Sequence, residues 1–471
     1  MSAAAVLAAP PVVTAAPRAV GLRARDVVRL GLAQVAIGAV AALMLSTLNR
    51  VMVVELALPA SVPSALVALH FAVQLSRARL GFASDRGRDA AGARRAPWVM
   101  GGAVCLGAGA VLAAAGTALA ATHRAAGLLV CVVAYAAIGL GLSATGTALL
   151  AAAAERAAPA QLGRVAAGLW IMMIMGIVAS AGITGALLDP FSLRRLVLVG
   201  AGVGVAAVAL AAVAATGRAL RADGPPAPRP HAAPADPGVP FRAAWRAAAA
   251  EPATRRFVGF VFLAMLAFSA QDLILEPFAG TVFGMTPGET TRLGGMQHGG
   301  VLLGMLVAAA LSARVGTLRG WAAGGCLASA AAFVALTQTA ALGSPAALTA
   351  AVFALGFANG VFTVGGVGAM MALTAPADAA RGRSSEAGLR LGIFGAAQAA
   401  AYGIGGFAGG VASDVARLAL GSPAAGYSAV FAGEAVLFAG AAWLALRSAP
   451  RERLGAVRVA ERGADLVSVL S

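Results

Sequence analysis

Long apolar stretches alternate along this chain with short polar or basic ones. Each apolar stretch is close to the roughly 20 residues that a helix needs to cross a hydrocarbon core. Within such a core the backbone must satisfy its own hydrogen bonds, so the stretches are read as helices. The pattern predicts twelve spans, at 28–49, 61–82, 98–120, 127–152, 165–187 and 196–216, then 257–279, 293–313, 320–340, 346–372, 388–411 and 427–446. Between the sixes, 217–256 contains DGPPAPRPHAAPADPG, whose prolines and glycines describe a flexible linker. The expected organisation is a tail over 1–27, a six-helix half over 28–216, the linker, a second half over 257–446 and a tail over 447–471.

The sixes also repeat one another. TLNRVMVVELALP and AFSAQDLILEPF, near the ends of the first and seventh stretches, place Glu55 and Glu276 221 positions apart. Gly146 and Arg164 map onto Gly365 and Arg383 at an offset of 219, and Gly185 and Asp189 onto Gly410 and Asp414 at 225. Two six-helix halves in parallel repeat are the major facilitator-like arrangement. Composition agrees with an all-α polytopic membrane protein. Only 11% of the 471 residues are charged and 60% are hydrophobic, whereas globular domains carry roughly 25% charge. Sixty glycines allow helices to approach closely.

The net charge of +16 raises the question of nucleic acid, but no stacking platform or basic domain accompanies it, and none is expected as a partner. The arginines follow a membrane logic instead. Arg77, Arg79, Arg86, Arg88, Arg94 and Arg95 fall between spans two and three, and the 217–256 linker, the 8–9 loop and both tails are basic. The alternate loops are poor in positive charge, Arg194 and Arg195 excepted. Positive-inside bias therefore predicts cytoplasmic termini and contact with a lipid bilayer. The first residues are read as a cytoplasmic tail, not as a signal peptide. Cys105, Cys131 and Cys326 sit in apolar runs without paired spacing and are read as packing residues.

Polar side chains inside these stretches need explaining, because they are expensive there and mark function or structure. Asn49, Arg50 and Glu55 stand at the end of span one. Five residues on an α-helix is about 140°, so Arg50 and Glu55 are not an ideal same-face pair; they face different neighbours, or Glu55 lies in the exit loop before Pro59. In span two, His70, Gln74, Arg77 and Gly81 share one helical face. In span seven, Asp272 and Glu276 share a face with Gln271 adjacent, and Pro277 suggests that the helix is ending there. His298 lies in LGGMQHGGVLLG and Asn359 in FANGVF. A neutral imidazole at His70 or His298 has the chemistry to ligate a tetrapyrrole metal or bond a carbonyl, and equally to serve as a packed core histidine. Arg86, Arg94 and Arg95 with Asp85 in the 2–3 loop, and Arg77 and Gly81 before it, suggest a gating or structural device. No phosphate-binding GxxxxGK[ST], no HExxH and no nucleophile–base arrangement is present, so neither a nucleotide cofactor nor an enzyme is expected.

The segment LNRVMVVELALPASVPSALVALHFAVQLSRARLGFASD, followed by GARRAPW, resembles the PucC/LhaA family of light-harvesting complex assembly proteins, and its PucC branch most. The resemblance extends over nearly all twelve spans. It implies an assembly factor of the bacterial inner or intracytoplasmic photosynthetic membrane. Its cargo would be bacteriochlorophyll, and its partners the light-harvesting alpha and beta polypeptides, the pigment-synthesis machinery and a second copy in a homo-oligomer. Glu55, His70, Gln74, Asp272, Glu276, His298 and Asn359 are then the candidate cargo contacts, with His70 and His298 as candidate ligands of the pigment magnesium. Asn49, Arg50, Arg77, Gly81, Asp85, Arg86, Arg94 and Arg95 are the candidate gating or structural set. The competing reading is a proton-coupled transporter or pigment flippase that works through the Asp272/Glu276 region.

Overall fold

The computed structural model describes residues 22–76, 95–157, 161–217, 220, 252–312, 315–374 and 386–448, and every element among them is helical. Helix α1 is regular over Ala24–Ala42 and continues through two π-helical stretches, Leu43–Leu48 and Val51–Glu55. It is followed by α2 (Ser61–Gln74), α3 (Ala96–Leu119), α4 (Arg124–Arg156), α5 (Leu162–Leu187) and α6 (Leu193–Ala215). Then come α7 (Pro252–Phe283), α8 (Pro287–Ser312), α9 (Leu318–Leu342), α10 (Pro345–Thr374), α11 (Glu386–Leu420) and α12 (Pro423–Ser448). Among the described residues, ten of these helices are long and apolar enough to cross a membrane. Their outward faces carry Leu129, Leu198, Val205, Ile183 and Val436, all well exposed. That is the surface expected of a protein whose solvent is hydrocarbon, where a leucine gains nothing by hiding.

Helices α1 to α6 pack chiefly on one another, α3 against α4 and α6, α1 against α5 and α6, and α2 against α4. Likewise α7 packs against α11 and α12, α8 against α10, and α9 against α10 and α12. The two sets meet along α5–α8 and α2–α11, with the π-helical part of α1 laid against α7 and α8. Their cores differ in kind. The later set is filled by interlocking rings, Phe278 edge-on to Phe431 at 5.1 Å and Phe333 stacked on Phe438 at 5.7 Å. The earlier set is aliphatic and rich in alanine. Close approach is sharpest between α8 and α10: a Cβ on Gly300 would lie 2.6 Å from the Phe353 carbonyl oxygen, and one on Gly304 would overlap that of Phe357.

Two expectations are corrected here. Helix α7 does not end at Pro277; it runs through it to Phe283, and Glu276 is buried at 3% exposure. A proline has no N–H for the carbonyl four residues earlier, which here is Leu273. The amide nitrogen of Asn49 donates to that Leu273 carbonyl at 2.7 Å, so a side chain of α1 takes the place of the missing backbone donor. Second, Glu55 and Glu276 are not equivalent in their helices: Glu55 ends α1, whereas Glu276 stands well inside α7. Gly185 with Asp189 and Gly410 with Asp414, by contrast, occupy matching places at the ends of α5 and α11.

Candidate functional site

The site grows from the winding of α1. A π-turn closes hydrogen bonds between residues five apart, as the Leu56 N–H does to the Val51 carbonyl at 3.0 Å. The expected divergence of Arg50 and Glu55 is therefore not found. The wider winding brings them into an ion pair, with the Arg50 side chain 3% exposed and that of Glu55 34%. Arg50 also donates to the Met285 carbonyl beyond the end of α7 at 2.6 Å, and passes over Gly280, where a Cβ would lie 2.9 Å from its Nε. On the same face, Thr47 Oγ1 and Thr291 Oγ1 of α8 are 3.1 Å apart, and Ser46 donates to the Glu276 carboxylate. Polar residues 46, 47, 49 and 50 thus all face α7 and α8, a broader polar stripe than a regular α-helix would hold.

Behind this stripe lies a polar recess. Ala42, Leu45 and Ser46 of α1, Ile177 and Ala181 of α5, Asp272 and Glu276 of α7, and Gly294, Gln297 and His298 of α8 line it. Asp272, Glu276 and His298, three of the candidates, are thereby brought together. The recess holds water-sized or small polar groups and, as closed here, not a macrocycle. Gly294 lies flat against Glu276, and any Cβ there would strike the carboxylate. The His298 Nδ1 is 2.9 Å from the Gly294 carbonyl oxygen. A carbonyl only accepts, so the proton sits on Nδ1 and Nε2 carries the lone pair. Ring orientation by a backbone carbonyl at Nδ1 is the usual support for a histidine that ligates a metal through Nε2.

The other candidates lie elsewhere. His70 and Gln74 are buried on α2, at the seam with α11, and the Gln74 amide donates to His70 Nε2 at 2.6 Å. His70 stands edge-on to Phe71 at 5.2 Å, which in turn meets Tyr402 of α11 at 5.2 Å. The two histidines therefore occupy different seams. Asn359 accepts from Ser329 at 2.8 Å and donates to Gln271 at 3.2 Å, a buried network behind Asp272 and not part of the recess wall. Arg95 is buried at the start of α3. Arg77, Gly81, Asp85, Arg86 and Arg94 lie outside the described residues.

Sequence reasoning missed three participants. Ser46 and Gln297 carry no signal of their own within apolar runs. Glu434 of α12 did carry one, as the sole acid in GYSAVFAGEAVLF. It is 2% exposed, neither carboxylate oxygen meets a hydrogen-bond partner among the described residues, and the charged group that acts on it is Asp272. Among the described residues no three histidine, cysteine or acidic side chains are grouped to hold a metal ion.

Comparison with known proteins places these features in context. A family described as "PUCC protein" matches residues 47–451. A protein of Rhodobacter capsulatus named "Bacteriochlorophyll synthase 44.5 kDa chain" is 46% identical over 423 residues, covering 89% of this chain and 94% of its own. "Protein PucC" of the same organism is 31% identical, with 87% and 89% covered. Among solved structures, a bacterial homologue of the lysosomal transporter Spinster, in an inward-facing and unoccupied conformation, superposes with a TM-score of 0.65 at 16% identity, covering 90% of this chain and 96% of that one. The nucleoside transporter NupG, as its D323A mutant, gives 0.63 at 17% identity, with 89% and 99% covered. At such identities these structures speak for the fold alone, that of the major facilitator transporters.

Proposed function

Because the chain belongs to the PucC family, we propose that it is an assembly factor for light-harvesting antenna complexes, handling bacteriochlorophyll, antenna polypeptides or both. The work is non-covalent, and the chain is not an enzyme. The finer architecture we propose is twelve spans in two six-helix halves, 28–216 and 257–446, with the 217–256 linker and the tails 1–27 and 447–471 on the cytoplasmic side of a bacterial inner or intracytoplasmic membrane. The relative named as a chain of bacteriochlorophyll synthase supports pigment as the cargo.

One observation carries the site assignment: His298 has its Nδ1–H committed to the Gly294 carbonyl and lies in the wall of a recess shared with Asp272 and Glu276. A tetrapyrrole offers a magnesium ion to Nε2 and ring carbonyls to hydrogen-bond donors. The recess must widen to admit it, by parting α1 and α5 from α7 and α8. His70 has its Nε2 occupied by Gln74 and supports the α2–α11 seam instead. Glu55 works with Arg50 and Asn49 to hold the α1 end, and Asn359 positions Gln271 beside Asp272. The partners are the light-harvesting alpha and beta polypeptides.

Purification in mild detergent from pigment-making cells tests this. We expect a bacteriochlorophyll absorption band and co-purifying antenna polypeptides, with His298→Leu losing the band and His70→Leu keeping it. A pigment-free preparation that retains the polypeptides would leave a scaffold. The buried pair Asp272 and Glu276 favours a second reading, proton-coupled solute movement or pigment flipping, since two close carboxylates resist simultaneous ionisation. Counterflow of a solute in vesicles, abolished by Glu276→Gln, would establish that reading in place of the first.

A further inference from the structure

The repeated Gly-x-x-x-Asp pairs do something that neither half does for itself. Helix α2 begins at Ser61, and its N-cap residue Ala60 supplies no side-chain cap. The cap comes from the other set of helices: Asp414 of α11 accepts from the Ala60 N–H at 2.9 Å and the Ser61 N–H at 2.8 Å, and is itself bonded by Arg417. One turn earlier, Gly410 packs so closely on α2 that a Cβ would lie 2.8 Å from the Ala60 carbonyl oxygen. The reciprocal contact is made at α8. Thr286 and Glu289 form a capping box there, the Glu289 N–H donating to Thr286 Oγ1 at 3.2 Å and the Thr286 N–H to the Glu289 carboxylate at 2.8 Å. Asp189 of α5 accepts from the Thr286 hydroxyl at 2.9 Å and pairs with Arg292 at 2.7 Å. Gly185, one turn earlier, packs on α8 so that a Cβ would lie 2.7 Å from the Gly288 carbonyl oxygen.

A carboxylate at a helix start is favoured by the unpaired N–H groups and the helix dipole. Both contacts join the two helix sets, and they share no residue. Both sit at the end of the bundle where α1 finishes and α2 and α8 begin. The recess lies directly beneath, since Ile177 and Ala181 are one to three turns deeper on α5 and Gln297 and His298 are deeper on α8.

We propose that Asp189 and Asp414 form a double latch, each capping a helix of the opposite set, which holds this end of the bundle shut over the recess. Opening toward this end requires both to release. Because they share no partner, their contributions multiply.

The test places a reporter, Leu45→Cys, in the recess wall of the full-length protein in sealed membrane vesicles. Cys105 and Cys326 are changed to alanine, and Cys131, fully buried, is kept as an internal reference. A membrane-impermeant maleimide is added to each side in turn. Asp189→Ala and Asp414→Ala should each speed modification of the reporter about fivefold from one side only, and together about 25-fold, as the loss of a typical cap implies. Cys131 should stay protected throughout. An unchanged rate in the double variant overturns the proposal. So does faster labelling of Cys131 in step with the reporter, which would make the aspartates general supports of the fold.

Discussion

Arg50 does three jobs with one guanidinium: it pairs with Glu55, donates to the Met285 carbonyl and lies across Gly280. Its partners are unequally exposed, so the two halves of the ion pair are not interchangeable. Arg50→Met leaves a half-exposed glutamate and an orphaned carbonyl and should cost about 3 kcal/mol of stability, whereas Glu55→Gln should cost under about 1 kcal/mol. Thermal unfolding in detergent separates the two. Asn49 invites a sharper test, because its role follows from Pro277. In the variant Pro277→Ala the backbone regains an N–H for Leu273, and Asn49 loses its purpose. Asn49→Leu should therefore destabilise the parent more than it destabilises Pro277→Ala, with a coupling of about 1 kcal/mol in a double-mutant cycle. Equal costs in both backgrounds would sink the substitution account.

At the scale of helices, most of what matters was legible. The solvent demands apolar length, so the spans could be read from hydropathy, and the i, i+4 spacing of Asp272 and Glu276 gave a shared face correctly. What failed was winding. Nothing in LMLSTLNRVMVVE announces π-turns, so Arg50 and Glu55 were expected to diverge, and Pro277 was read as a stop because its rescue comes from a residue more than 200 positions away. Partners across helices, such as Ser46 for Glu276, are likewise invisible to periodicity. The α8–α10 contact supplies a prediction of its own. Gly304→Val forces two backbones apart and should cost about 3 kcal/mol as overpacking. Gly299→Ala, one turn from the same contact but facing open space, should be close to neutral. Melting temperatures of the two variants provide the comparison, and the first should also disturb His298, which shares α8.

Across the whole molecule, composition sufficed for the class and the repeat for the architecture, but the repeat was anchored on the wrong residues. Glu55 and Glu276 looked like counterparts and are not; Gly185–Asp189 and Gly410–Asp414 are, and they make matching contacts between the helix sets. The arginine pattern predicts that a reporter fused within 217–256 reports the same side of the membrane as one fused to either terminus. A reporter inserted between Ala121 and His123 should report the opposite side. An inverted result at any of these positions would reverse the orientation assigned to the recess and its latch.

The π-helical stretches of α1 also bear on how this chain tolerates change in length. A π-turn is an α-turn with one residue to spare, so removing a single residue within Leu43–Leu48 can let the helix rewind as regular α without breaking it. Such a deletion variant should still insert and fold. It would, however, rotate everything beyond it by about 100°, carrying Asn49 away from Leu273 and Arg50 away from Met285. The slack in this helix is thus what holds its far end in register with the rest of the bundle.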